Sequence, residues 1–307
     1  MKATFRSALL TTILTYMLIF TGGLVRVSGA GLGCPDWPKC FGRWIPPIRI
    51  AQLPADVDPM QFNFTLAWIE YLNRLFGMLV GVLMLITAIL AVKHFRRIPR
   101  ISISAVLGVL LIAYTGWQGG RVVESELEAG VVSTHAVLAV LIAVIMVYVT
   151  QQIYYQLNPV AGQEGRFPVA GKWFGTVWVI SLVQIVLGTH VRGTAETFWT
   201  SFPFAQRLEW LSQAGVLEYL HMGLGVAVSV FSLILGVKIL SGDTNSSHFI
   251  RQSVWALLLI MTAQLGFGSV MLVAGMPPIL EVLHLWTAAL ASGILLLVYA
   301  ALKREIQ

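Results

Sequence analysis

The sequence predicts an all-α polytopic membrane protein whose eight transmembrane helices form two four-helix bundles related by a pseudo-twofold axis. Three observations predict it. Of 307 residues, 57% are apolar and only 11% charged, and the mean hydropathy is +0.80; a soluble domain carries roughly a quarter charged residues. Eight long runs contain no Asp, Glu, Lys or Arg. The motifs of the first half recur in the same order in the second.

The same composition excludes a disordered chain, which could not keep so much apolar surface solvated. The net charge of +6 does not point to nucleic acid, because the basic residues are dispersed in short segments between apolar runs. They report orientation in a lipid bilayer instead.

The charge-free runs fall at 7–25, 75–92, 101–120, 129–163, 173–191, 219–237, 252–280 and 282–302. A helix needs roughly 20 apolar residues to cross the hydrocarbon. Only helices and closed barrels satisfy their own backbone in lipid, and runs this long without alternation are not barrel strands. The first run follows a positive start, MKATFRS, but is long and lacks a clear cleavage site, so it reads as a retained span. The second and sixth helices should begin before their runs, and the fourth should end well before Glu164.

Charge sets the sides. Lys2, Arg6, Lys93, Arg96, Arg97, Arg100, Arg166, Lys172, Lys238, Arg251, Lys303 and Arg304 occupy the termini and the alternate loops, twelve of the twenty basic residues. These segments are expected in the cytoplasm, with both termini inside. Asp36, Asp56, Asp58, Glu124, Glu126, Glu128, Glu196 and Glu209 fall on the opposite side. Two outward loops are long, about 26–64 and 192–213, and the two near Glu124 and Pro277 are short.

That long-short alternation accompanies the repeat. GGLVRVSGAG (22–31) resembles LGTHVRGTAE (187–196), and EYLNRLFGMLVG (70–81) resembles EYLHMGLGVAVS (218–229). The offset is 148 at Asn73/His221 and 149 at His135/His284. Four helices return the chain to its starting side, so the duplication predicts a parallel repeat about an axis along the membrane normal. The expected units are 1–153, a cytoplasmic linker at 154–172, and 173–307. A transporter also uses such repeats, but no helix is visibly broken at mid-membrane, which ranks that reading last.

Three histidines lie in apolar helices at similar depth: His135 in the fourth, His221 in the sixth and His284 in the eighth. Ionisable groups are costly in lipid and mark sites facing the bundle interior. One such histidine could simply be hydrogen-bonded across helices. Two imidazoles at one depth on neighbouring helices can instead clamp a haem iron from both faces. Gly223, Gly225, Ala288 and Ala289 nearby would leave room for a flat macrocycle. Glu218 and Glu281 make two E-x-x-H turns, a di-iron signature that also requires a Glu from each of two other helices. The fifth and seventh helices offer only Gln184 and Gln264.

The first half breaks the symmetry, since Asn73 stands where the second half has His221. Glu70 has two readings: an interface carboxylate paired with Arg74 one turn on, or a buried carboxylate that stabilises developing charge or moves a proton. Cys34 and Cys40, in GLGCPDWPKCFGRW, can close a small disulfide on the oxidising side as a staple, or act as a redox or haem-relaying pair. Arg26 and Arg192 hold matching outer-end positions and could pair with haem propionates or serve as interfacial anchors. His94, His190 and His248 lie at helix ends or in a loop and are assigned no role.

On GGLVRVSGAGLGCPDWPKC, EYLNR, STHAVLA, EYLHMGLG and EVLHLWTA, the chain resembles the heme A synthase family over nearly its whole length. The resemblance implies an enzyme that oxidises a methyl group of heme O to the formyl group of heme A, for cytochrome oxidase assembly. It implies haem b as cofactor between His221 and His284, the substrate haem at His135, Glu70 as the carboxylate that aids turnover, and Cys34 and Cys40 as the outer-loop pair. The family has His where this chain has Asn73. Either the substrate haem is held differently here or the chain is an inactive or engineered variant. A competing reading is a non-catalytic haem b-binding membrane protein, for electron transfer or haem carriage. Expected partners are heme O, a heme O synthase, cytochrome oxidase assembly factors and an electron donor of unknown kind. The absence of an Arg/Ser-rich presequence leads to the expectation of a bacterial cell membrane.

Overall fold

The computed structural model describes residues 1–55, 57–158, 168–202, 204, 209–242 and 248–304. Asp56, Arg166 and residues 159–167 of the expected linker lie outside the described residues. The eight runs each form the body of one helix: α1 Lys2–Val27, α2 Phe64–Phe95, α3 Pro99–Glu124, α4 Ala129–Leu157, α5 Pro168–Ser201, α6 Val216–Ser241, α7 His248–Ala274 and α8 Pro278–Arg304. All eight are long and apolar enough to cross a membrane. No strand occurs among the described residues.

Local chemistry sets the ends. Gly29, in a left-handed conformation, follows α1. Asn63 starts α2, its side chain accepting the Leu66 N–H at 3.1 Å. Pro99 opens α3, where its missing N–H is no loss. Glu218 accepts the N–H of Gly215 at 2.8 Å and starts α6 ahead of its charge-free run. The run at 252–280 is cut after Ala274, because Gly275 and Met276 take positive φ and Pro277 precedes Pro278. The α3–α4 turn uses two consecutive positive-φ residues as well, Glu126 and Leu127. The second long outward segment begins later than expected, since α5 continues through Arg192 and Glu196 to Ser201. Both charges are accommodated there by ion pairs.

Within each half, consecutive helices pack together and the fourth closes on the first. Between halves, α1 meets α8, α4 meets α5, and α4 meets α8. Exchanging the halves maps the α1–α8 contact onto α5–α4 and α4–α8 onto itself, so the helix contacts respect a twofold exchange. One apolar cluster, including Phe174, Leu235, Leu257 and Leu295, fills the second half. A smaller one, including Ala8, Ala91, Ile101 and Ile153, fills the first. Tyr16, Val140, Ala143, Ile185, Ala289 and Leu296 form the seam between them.

Lipid offers no hydrophobic drive between helices, so small residues and interhelical hydrogen bonds carry the packing. Thr12 and Thr150 hydroxyls stand 2.9 Å apart across α1 and α4. Across the seam, Trp286 Nε1 donates to Tyr16 O at 2.9 Å and Gln151 Nε2 to Leu297 O at 2.7 Å. The segment between α1 and α2 folds over the first half: Cys34, Cys40 and Phe41 are buried with Ala67 of α2. Gly120 of α3 has the Trp37 ring so close that a Cβ there would touch it at 3.1 Å.

Candidate haem site

His221 on α6 and His284 on α8 face each other with ring centroids 6.5 Å apart and planes 77° from parallel. Each ring rests against a glycine of the neighbouring odd helix. A Cβ at Gly188 of α5 would lie 2.9 Å from His221 Cε1, and one at Gly268 of α7 would lie 3.4 Å from His284 Cε1. Gln184, one turn before Gly188, sets Nε2 at 2.8 Å from His221 Nδ1 and at 2.7 Å from the His221 carbonyl. That contact orients the ring through Nδ1; ligation of iron through Nε2 would require Nδ1 to carry the proton and the Gln184 amide to turn its buried Oε1, which has no hydrogen-bond partner among the described residues, toward it. His284 Nδ1 is buried outside hydrogen-bond geometry, with the Gln264 backbone as its neighbour. Thr287 holds the Gln264 side chain at 2.8 Å.

The arrangement suits a flat ligand bound through iron. An imidazole nitrogen meets a metal at about 2 Å, and the ring centre lies roughly 1 Å beyond, so two rings sharing one iron stand about 6 Å apart. Among the described residues no group of three or more His, Cys, Asp or Glu could hold a metal ion alone. A haem supplies the other ligands itself, so two histidines suffice. The E-x-x-H glutamates serve other ends. Glu218 caps α6, with His190 Nε2 at 3.7 Å, and Glu281 pairs with Arg192 at 3.3 Å. The di-iron reading therefore loses both its carboxylates.

The first half repeats half of this pattern. His135 on α4 lies beside Gly119 of α3, where a Cβ would stand 3.5 Å from Cε1. Its Nδ1 is buried without hydrogen-bond geometry beside the Thr115 backbone, matching His284 and Gln264. Asn73 occupies the place of His221, and its Oδ1 lies 2.9 Å from the Thr21 hydroxyl of α1.

Above it sits a hub on α2. Glu70 is only 5% exposed, and its Oε2 accepts the Cys34 N–H at 2.7 Å. Its Oε1 accepts from Arg74 Nε at 3.1 Å. The Arg74 guanidinium also donates to the carbonyls of Asp36 at 2.7 Å, Lys39 at 2.8 Å and Cys34 at 3.2 Å. Cys34 and Cys40 are joined as a disulfide. Glu70 is thus both paired with Arg74 and buried. Sequence reasoning named Arg74 only as a partner for Glu70 and missed that it carries the whole disulfide loop.

Arg26 in the last turn of α1 and Arg192 of α5 are brought together, and Arg26 pairs with Glu196. Each arginine thus has a carboxylate partner within the protein. Gly119, Gly188 and Gly268 were missed as well; each stands across from a histidine of the next helix, a relation that spacing within one helix does not reveal.

These features define a class: a multi-pass membrane protein with a paired-histidine site in one half and a single-histidine counterpart in the other. The sequence pattern of the COX15-CtaA family, described as cytochrome oxidase assembly protein, matches residues 6–297, and the chain belongs to that family. It is 25% identical to the heme A synthase of Wolbachia sp. subsp. Brugia malayi (strain TRS), over 90% of this chain and 89% of that protein. It is also 25% identical to the heme A synthase of Shouchella clausii (strain KSM-K16), over 83% of this chain and 82% of that protein. A shorter match, 31% identical over 41% of this chain and 38% of that protein, is to the heme A synthase of Shewanella oneidensis.

Proposed function

We propose that this protein is a haem-dependent oxidoreductase that converts the methyl group of heme O to the formyl group of heme A. The observation that carries the reading is the His221–His284 pair, with rings 6.5 Å apart in a family whose similar members are named heme A synthase. In this reading the C-terminal half, 173–307, holds haem b between His221 and His284. The N-terminal half, 1–153, receives the substrate haem at His135, and 154–172 joins them on the cytoplasmic side. Both termini lie in the cytoplasm of a bacterial cell.

Bound haem b would supply one-electron redox chemistry. The chain's own residues do the rest. Gln184 and Gly188 hold the His221 ring in one orientation, as outer contacts do for metal-binding histidines. Glu70 is the buried carboxylate placed to stabilise developing charge or to move a proton. Arg74 balances its charge, and the Cys34 N–H fixes its position. The disulfide closes the outer segment over this carboxylate and keeps water from it. Arg26 and Arg192 are the cations available to haem propionates, in exchange for Glu196 and Glu281. Heme O arrives from a heme O synthase, heme A leaves to cytochrome oxidase assembly factors, and an electron donor of unknown kind serves turnover.

Asn73 favours one competing reading, a non-catalytic haem b carrier, because it removes a ligand from the substrate half. Chromatography of haems extracted from the purified protein, expressed with and without a heme O synthase, separates the two. Heme A appearing only when heme O is supplied supports the enzyme. Haem b alone in both preparations overturns it.

A further inference from the structure

The two halves offer the same frame at four equivalent places, and three of them hold an imidazole against a glycine. At the fourth, the match of Arg26 with Arg192 sets Gly22 of α1 against Gly188, and Asn73 of α2 stands against His221. A Cβ at Gly188 would strike the His221 ring at 2.9 Å, whereas a Cβ at Gly22 would meet nothing within 4 Å. The same contrast holds one turn further along α2 and α6. A Cβ at Gly225 would lie 2.8 Å from Gln184 Nε2, while one at Gly77 would meet nothing within 4 Å. The first half thus has open space beside Gly22 and Gly77 where the second half has the His221 ring and the Gln184 amide.

Asn73 is also oriented. The Thr21 hydroxyl lies 2.9 Å from its Oδ1, shorter than its 3.1 Å contact with Leu18 O. Donation to Oδ1 leaves the amide N–H groups available, and Nδ2 has no hydrogen bond among the described residues. An asparagine held by its oxygen presents a donor, not a ligand, to whatever fills the space beside it.

We propose that the haem of the N-terminal half is five-coordinate through His135, and that the space between Gly22, Gly77 and Asn73 binds a small exogenous iron ligand of the dioxygen or carbon monoxide type. The Asn73 amide is its hydrogen-bond donor. This rests on the reading of the first half as a haem site. It turns the departure at position 73 from a missing ligand into an open face with a polar guide, while the His221–His284 site stays closed to such ligands.

The test uses the full-length protein in detergent, loaded with haem in both halves, and reads spectra rather than turnover. Haem per chain is counted first, in the wild type and in His135→Ala. Carbon monoxide is then added to the reduced protein, and its stretching band is recorded by infrared spectroscopy. The expected result is two haems, of which one takes up carbon monoxide, and loss of that uptake in His135→Ala. Asn73→His should abolish uptake with both haems retained and convert a high-spin ferric signal to low-spin. Asn73→Leu should keep uptake but weaken oxygen retention about tenfold, as expected for one lost hydrogen bond, and move the carbon monoxide band to higher wavenumber. Two haems without carbon monoxide uptake overturn the inference alone. A single haem that survives His135→Ala overturns both the inference and the substrate-half reading. Uptake with an unmoved band in Asn73→Leu overturns the donor role of Asn73.

Discussion

Gly188→Ala tests whether the paired-histidine site depends on a contact between helices. The new Cβ would sit 2.9 Å from His221 Cε1. Ordinary contact begins near 3.4 Å, so the imidazole must retreat by about half an ångström. It cannot do so freely, because Gln184 holds the same ring at Nδ1 and α5 packs directly on α6. Overpacking of this kind costs roughly 1–3 kcal/mol. Applied to a bound cofactor, that weakens retention about 5-fold to 150-fold, at 1.4 kcal/mol per decade. The assay is haem b content and the low-spin signal of the purified variant across a series of competing apo-haem acceptors. Gly22→Ala is the internal control, because its Cβ meets nothing within 4 Å and should leave the C-terminal haem unchanged. Equal retention in wild type and Gly188→Ala would refute the claim that close α5–α6 approach shapes the site.

Four further outcomes are expected. Gln184→Leu removes the group beside His221 Nδ1 and should lower C-terminal haem affinity 10-fold to 100-fold, as loss of an outer contact to a metal-binding histidine does, with a changed low-spin resonance pattern. Replacing Cys34 and Cys40 together by Ser should lower stability by about 2 to 4 kcal/mol and open the first outward segment to protease, a cleavage that reductant reproduces in the wild type. Arg74→Ala should expose the same segment with the disulfide intact, since Arg74 donates to three of its carbonyls, whereas Glu70→Gln should reduce heme A formation while that segment stays protected.

Much of this was legible in the chain because lipid enforces simple rules. Eight charge-free runs became eight helices since nothing else satisfies a backbone in hydrocarbon. The run at 252–280 misled at its end only because Gly275, Met276 and Pro277 carry no charge; the turn there is written in φ, not in hydropathy. The second outward loop started late for the opposite reason: Arg192 and Glu196 are charged yet helical, each held by a partner on another element. Histidine depth could be read from spacing. Their supports could not, because Gly188 and Gln184 act from α5 on a residue of α6, and no periodicity within one helix encodes which face a neighbour presents. Arg74 illustrates the same limit, for its carbonyl partners lie 35 to 40 positions earlier in sequence.

The duplicated frame also explains why one substitution can divide the labour between the halves. Packing around each site is set by glycines on odd helices and by the α1–α4 and α5–α8 contacts, which the halves share. A change at one position of the first half therefore leaves its helix contacts intact while altering what the site accepts. His221 is locked by Gly188 and Gln184 into a closed pair with His284, the arrangement suited to holding a cofactor and passing electrons. Asn73 is held by the Thr21 hydroxyl alone among the described residues, and open space adjoins Gly22 and Gly77; on the function proposed above, that arrangement suits a haem that enters, reacts and leaves. A substrate bound through two protein ligands would be released slowly, since both bonds must break before exit. In the proposed function a single ligand at His135 would lower that barrier, and the asymmetry at position 73 would then separate a site built for retention from one built for exchange.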